Sequence, residues 1–207
     1  AGHLLAASVM SAPAALVIAK IIYPETESSE TMGDLKIHVE QNSSNAMEAL
    51  GNGATDGLKL AANVGAMLVA FISIVALVNY LLSFAGTSMD AILAIVFKPL
   101  AWTMGVPWEE AGQMGMLMGK KIVFTELIAY GDLKDIIAEG QISERTAIIA
   151  SYALCGFANF GSIGIQLGGI GGMAPERKKD LAKLVTKAMV GGALASWLTA
   201  TVAGILI

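Results

Sequence analysis

One cysteine, Cys155, and two histidines, His3 and His38, are all the chain offers of the residues that build disulfides and zinc-type sites. A lone cysteine excludes an internal disulfide, and these three residues give no metal-ligand spacing. Cys155 therefore reads as a small apolar residue in a packed helix. Charge is scarce as well. Only 14% of residues are charged, and 13 Lys and Arg against 17 Asp and Glu leave a net charge of −4 with no basic tract. That excludes the phosphate-neutralising surface a nucleic-acid partner needs. Two stretches, 60–89 and 146–175, carry no charge at all. What fills the space is apolar: 55% hydrophobic residues and a positive mean hydropathy place the chain among all-α integral membrane proteins, threaded several times through the lipid bilayer of the cell membrane. It opens in an apolar stretch with neither an initiator Met nor a basic leader and closes in another at Ile207, so it is expected to be part of a longer protein.

Taken in order, residues 1–22 are apolar but interrupted by Ser8, Ser11 and Pro13, and are expected to form a broken transmembrane helix. Pro13 has no N–H to give, so carbonyls near Val9 and Met10 lose helical partners and are candidates to face a cation; a kink satisfied by the neighbouring serines is the equal alternative. Residues 23–42 form an acidic aqueous loop. The segment 43–60 carries Glu48, Asp56 and Lys59 and is expected to cross the membrane shielded inside the bundle, ahead of a lipid-facing scaffold span at 62–85. Residues 90–106, with Lys98, Pro99 and Trp102, suit a helix lying in the interface, with Trp102 and Trp108 at headgroup level. In 112–138 two apolar arms, each too short to span, flank the run FTELIAYGD. The expectation is a re-entrant hairpin with Thr125 and Glu126 at its tip, a surface helix with a solvated Glu126 being the alternative. An acid at membrane depth is by default a functional residue.

The stretch 145–173 decides the architecture. As one helix its uncharged part would reach roughly 45 Å, against about 30 Å of hydrocarbon. Glycines at 156, 161, 164, 168, 169, 171 and 172 free the backbone, and Asn159 and Ser162 stand beside the expected break. Broken helices at membrane depth survive where they line a cavity, so 156–162 is read as half of a midplane site; a continuous glycine-rich helix packed tightly on a neighbour is the alternative. The run PERKKDLAK at 175–183 is a basic turn that stays cytoplasmic, followed by a last transmembrane helix at 176–207. Counting back with 43–60 as a crossing puts the acidic loop outside. It also gives the two interrupted helices opposite directions, the mark of an inverted-repeat secondary transporter.

The motifs HLLAASVMSAPAAL (3–16), GKKIVFTELIAY (119–130), CGFANFGSIGIQLGG (155–169) and MAPERK (173–178) resemble the C-terminal half of the concentrative nucleoside transporters. The resemblance covers nearly the whole chain. It implies one half of an inverted-repeat fold working as a homotrimer, and cation-coupled symport of nucleosides with sodium, or alternatively protons, as the coupling ion. Carried over by motif, Glu126 is the hairpin glutamate with Thr125 beside it, and Phe157, Asn159 and Ser162 are the substrate residues of the broken helix. Ser8 and Val9 fall in a motif where the resemblance implies sodium held by a serine hydroxyl and backbone carbonyls. These chemistries suit a sugar: a carboxylate accepts from ribose hydroxyls, an amide does both, and a phenyl ring supplies an apolar face. The chain departs from the family at the hairpin tip, where Thr125, Glu126 and Leu127 stand in place of Asn-Glu-Phe, and the family's first hairpin would lie upstream of residue 1. A non-transporting, gate-type membrane module is the competing class. An enzyme is disfavoured, because Glu126 and the hydroxyls have no base or metal partner in the sequence.

Overall fold

The structure, a computed structural model, describes residues 2–26 and 44–207. The centre of the acidic loop, with Glu27, Glu30, Asp34, Lys36 and Glu40, lies outside the described residues. Among those described, every regular element is helical: α1 (Gly2–Ile22), α2 (Ala46–Ser83), α3 (Met89–Thr103), α4 (Ala111–Val123), α5 (Glu126–Ala138), α6 (Glu144–Leu154), α7 (Phe160–Met173) and α8 (Lys178–Leu206), with a 3₁₀ turn at Pro175–Arg177. Gly2–Ile22, Ala46–Ser83 and Pro175–Leu206 are long and apolar enough to cross a membrane. The chain is an all-α membrane protein.

Two expectations are corrected. The break expected in residues 1–22 is absent, and α1 runs unbroken with Pro13 inside it. Proline fixes φ at a helical value and removes one N–H, the partner of the Val9 carbonyl. The nearby serines serve the backbone: Ser11 Oγ donates to the Ala7 carbonyl at 2.6 Å and Ser8 Oγ to that of Leu4 at 3.0 Å. The second correction concerns 43–60 and 62–85, which are not two crossings but one 38-residue helix, α2, about 57 Å long. Asn45 caps its start by accepting from the Glu48 N–H at 2.9 Å, and Glu48 in turn accepts from the Ser44 N–H at 2.8 Å. Between 60 and 62 the chain reads Leu-Ala-Ala, with no proline or terminal cap to stop it. The first part of α2 is also exposed rather than shielded, at Met47, Leu50 and Leu58.

Removing one crossing changes the direction of the interrupted helices. His3 of α1 stands 3.4 Å from the Tyr152 hydroxyl of α6, and further along α1 Ser11 and Ala15 border the segment after α6. α1 therefore runs parallel to the α6–α7 path, not opposite to it. α8 runs back between them: Lys187 lies over the Tyr23 ring and Ser196 shares a cleft with Ser11.

The core is built where α3, α4, α5, α6 and α8 meet, around Met114, Leu117, Met118, Ile149, Leu154 and Ala200. α3 lies along α4, and Trp197 of α8 meets Phe97 edge-on at 5.1 Å. Lys98 caps the Trp108 ring at 4.5 Å while Trp102 stays exposed, an arrangement that suits interfacial anchoring. Arg145 at the start of α6 donates to the carbonyls of Gly105 at 3.1 Å and Gly204 at 2.6 Å, tying the α3–α4 turn and the end of α8 to one guanidinium. α7 packs against α2, and the approach is close: a Cβ on Gly164 would stand 2.9 Å from both the Met67 carbonyl oxygen and the Phe71 ring.

Candidate functional site

The helical path from α6 to α7 is interrupted by five residues, 155–159. Cys155 turns extended at ψ 120°, and Gly156 follows at φ 120°, backbone space that side chains rarely enter. The chain restarts at Asn159, the N-cap of α7. Asn159 Oδ1 accepts from the Ser162 N–H at 2.8 Å, and Ser162 Oγ accepts from the Asn159 N–H at 3.2 Å, a reciprocal capping box. The break is thus specified at both ends, by a glycine that leaves the first helix and a polar pair that starts the second.

A second helix start faces it. α4 and α5 form a helical hairpin whose turn is Phe124 and Thr125. Thr125 is the extended N-cap residue of α5, with no side-chain cap bond, and Glu126 is the first helical residue. The Lys120–Asp132 ion pair and the Tyr130 hydroxyl, which donates to the Ser151 carbonyl at 2.8 Å, hold α5 against α4 and α6 respectively. This brings the N-termini of α5 and α7 together. Asn159 Nδ2 points to Glu126 Oε2 at 3.4 Å, the long end of hydrogen-bond distance. Two helix starts carry partial positive charge, and the Glu126 carboxyl group stands where they meet.

The expected site residues divide into three groups. Glu126 and Asn159 come together, Glu126 half-buried and Asn159 fully buried at 0% exposure. Thr125 adjoins Glu126 and is half-buried, and Phe157 is 49% exposed on the break, so its ring is free to cover an apolar surface. Ser162 is only 2% exposed, and its hydroxyl also donates to the Asn159 carbonyl at 2.6 Å; in this arrangement it serves the cap and shapes Asn159. Ser8 and Val9 stand apart on α1. Ser8 is exposed with its proton given to Leu4, and Val9 is 71% exposed. The one carbonyl that Pro13 frees and one serine oxygen are fewer oxygens than a sodium shell needs, so among the described residues these two do not complete an ion site.

Sequence reasoning missed Lys121. It is 0% exposed, with its ammonium donating to the Ala153 carbonyl at 2.9 Å and to Ser196 Oγ at 2.7 Å. The available signal was the Lys120–Lys121 pair: adjacent residues on a helix point about 100° apart, so one partner turns inward when the other pairs outside with Asp132. Beside the break, a cleft of about 170 Å³ opens between Ser11, Cys155, Phe157 and Ser196. Pockets for small molecules run to roughly 300–1,000 Å³, so this cleft is part of a site rather than a whole one. What the constellation does chemically is accept: a carboxyl group with free lone pairs, oriented by one amide and flanked by an exposed aromatic face, is suited to a diol on a flat, partly apolar molecule.

Comparison with known proteins gives a consistent result. The family described as "Na+ dependent nucleoside transporter C-terminus" matches residues 3–204. The uncharacterized transporter YutK of Bacillus subtilis is 46% identical over 99% of this chain and 52% of its own length. The nucleoside permease NupC of Helicobacter pylori is 41% identical over 99% of this chain and 51% of its length. The structure of a doubly substituted CNTnw in an outward-facing state superposes with a TM-score of 0.88 at 40% identity, covering 99% of this chain and 50% of that one. The chain thus spans about half the length of the relatives it matches. With the match running almost from end to end, it belongs to the Na+-dependent nucleoside transporter family and carries that family's C-terminal region.

Proposed function

We propose that the protein containing this chain is a sodium-coupled nucleoside symporter of the cell membrane, working as a homotrimer, and that this region supplies the ribose half of its binding site. The observation that carries the reading is the meeting of Glu126 and Asn159 at two helix starts beside the break. Glu126 accepts from the two ribose hydroxyls. Asn159, locked by Ser162, orients that carboxylate and keeps a second N–H for the sugar. Phe157 covers the apolar side of the nucleoside, and Thr125 offers a hydroxyl at the hairpin tip. Family membership supports nucleosides and sodium, and the likeness to an outward-facing transporter supports a site reached from outside. The coupling ion enters this reading at the level of the whole protein, with no ligand assigned to it among the described residues.

The test is sodium-gradient-driven uptake of labelled uridine and adenosine by the full-length protein in vesicles, for wild type and Glu126→Gln. A hydrogen bond to a charged group is worth about 1.5–3 kcal/mol, so the variant should bind nucleoside roughly 10- to 100-fold more weakly. 2′-Deoxy and 3′-deoxy substrates should cost the variant far less than they cost wild type. Independent losses would remove Glu126 from the sugar, and absence of gradient-driven uptake by wild type would overturn the reading itself.

A further inference from the structure

Lys121 is the deepest charge among the described residues, and nothing in the binding scheme above uses it. Its surroundings show what it holds. α6 ends at Leu154, and with Gly156 turned to φ 120° the path leaves helical geometry before the Phe157 N–H can reach back to the Ala153 carbonyl, its partner in a continuous helix. Lys121 Nζ occupies that place at 2.9 Å. A cation at a helix C-terminus also meets the negative end of the helix dipole. The same ammonium donates at 2.7 Å to Ser196 Oγ, which passes its own proton to the Ala193 carbonyl at 2.8 Å. One side chain of the hairpin thus joins the end of α6 to α8.

Both of these partners are neutral, and a buried ammonium with neutral partners alone is costly. The acid nearest to Lys121 along the chain is Glu126, five residues on and across the hairpin turn. Lys120, its neighbour, is already matched by Asp132. The other titratable groups nearby are Cys155 at the break and Tyr130 on α5, while Asp90 and Lys98 of α3 lie along the Gly115 and Gly119 side of α4. Among the described residues no carboxylate stands within ion-pair distance of Lys121.

We infer that Lys121 is a positioning residue for substrate binding: it caps the open end of α6 and fixes the break against α8, so that Phe157 and Asn159 stand opposite the start of α5 at Glu126. This rests on the reading of Glu126 as the ribose acceptor.

The experiment is equilibrium binding of labelled uridine to the full-length protein at neutral pH and constant sodium, for wild type, Lys121→Met, Glu126→Gln, the double variant and Ser196→Ala. Lys121→Met should weaken binding by about tenfold or more, as for a lost hydrogen bond to a charged group. The double variant should bind within about threefold of Glu126→Gln alone. Unchanged binding by Lys121→Met, or a deficit that adds fully to the Glu126→Gln deficit, overturns the inference. Should Lys121→Met fail to reach the membrane, Ser196→Ala decides: it leaves the charge but removes one acceptor, and should weaken binding about 2- to 10-fold. Unchanged binding there overturns the inference as well. If wild type binds no nucleoside, the functional reading falls separately. The Lys121–Glu126 coupling is then read from non-additive melting temperatures of the same variants, and additive ones overturn it.

Discussion

In α1 the chain meets Ser8, Ser11 and Pro13 and stays helical; between α6 and α7 it meets Gly156, Asn159 and Ser162 and opens into five non-helical residues. The two regions look alike in sequence, polar and helix-breaking residues inside an apolar stretch, and they differ in what each residue type removes. Proline deletes one donor but leaves φ helical, and nearby hydroxyls serve the adjacent carbonyls. A glycine at φ 120° turns the path itself, and a capping box then gives the new helix a start that competes with continuation. The freed backbone groups also need partners. Lys121 serves the Ala153 carbonyl at the break, whereas α1 lies mostly exposed, with only Ala7 and Ala14 buried. A break thus needs a backbone that turns, a restart that is capped, and a neighbour that pairs what is left over.

The largest expected effect is all-or-none and concerns direction. With α2 a single helix and α1 parallel to the α6–α7 path, the start of the acidic loop and the basic turn share one side of the membrane. Single-cysteine variants Glu25→Cys and Lys179→Cys of the full-length protein should both be labelled by a membrane-impermeant thiol reagent from the cytoplasmic side only, where short basic loops stay. Labelling from opposite faces would restore a crossing within α2 and return the two interrupted helices to opposite directions.

Gly156→Val comes next. A β-branched residue at positive φ is strained by about 1–3 kcal/mol, enough to shift the break and, at 1.4 kcal/mol per factor of ten, to cut nucleoside uptake by more than about tenfold. Membrane levels of the variant protein serve as the control. Uptake within twofold of wild type would mean that the opening does not depend on this backbone geometry, and the contrast with α1 would lose its physical basis.

Much of this was legible in the sequence, and the failures share a cause. The apolar spans, the hairpin turn at Thr125 and the break at Gly156 follow from length, charge and residue type, because each depends on the local chain. The fusion of 43–60 with the following span was not legible: the glycines at 51, 53 and 57 and the charges at Glu48, Asp56 and Lys59 suggested a separate element, but continuity depends on the absence of a stop at 60–62. The intact α1 was missed because the sequence shows the donor that Pro13 removes and not the partners that remain. Lys121 was invisible for a tertiary reason: its acceptors lie 32 and 75 residues away.

A smaller and more selective effect is expected at the restart of α7. Asn159→Asp keeps a good N-cap but replaces the amide donor with a second carboxylate beside Glu126, so nucleoside binding should fall roughly tenfold while thermal stability stays near wild type. Exchanging the pair, Asn159→Asp with Glu126→Gln, restores one donor and one acceptor and should bind more tightly than Asn159→Asp alone. A double variant weaker than either single one would show that the two side chains act separately and that the capping box, not its contact with Glu126, is what the break contributes.

The smallest expected effect is at Pro13, where the contrast is most easily broken. Pro13→Ala returns an N–H to the Val9 carbonyl and removes a residue that costs about 3 kcal/mol in the interior of a soluble helix. Because α1 is already unbroken with Pro13 in place, much of that cost is absorbed by neighbours, so the gain in stability should be well under that figure. Neither the nucleoside affinity nor the sodium concentration for half-maximal uptake should move by more than about twofold, which is under about 0.5 kcal/mol. Ser8→Ala should behave the same way, since it removes only an exposed hydroxyl bonded to its own helix at Leu4. The informative failure is specific. A severalfold rise in half-saturating sodium for Pro13→Ala would mean that the Val9 carbonyl is used by the ion and that giving it an N–H partner competes with that use. The same rise for Ser8→Ala would bring in the hydroxyl. Either result would make the unbroken helix a working part of the transporter, and the distinction between an interruption that opens and one that is absorbed would then concern geometry alone and not function.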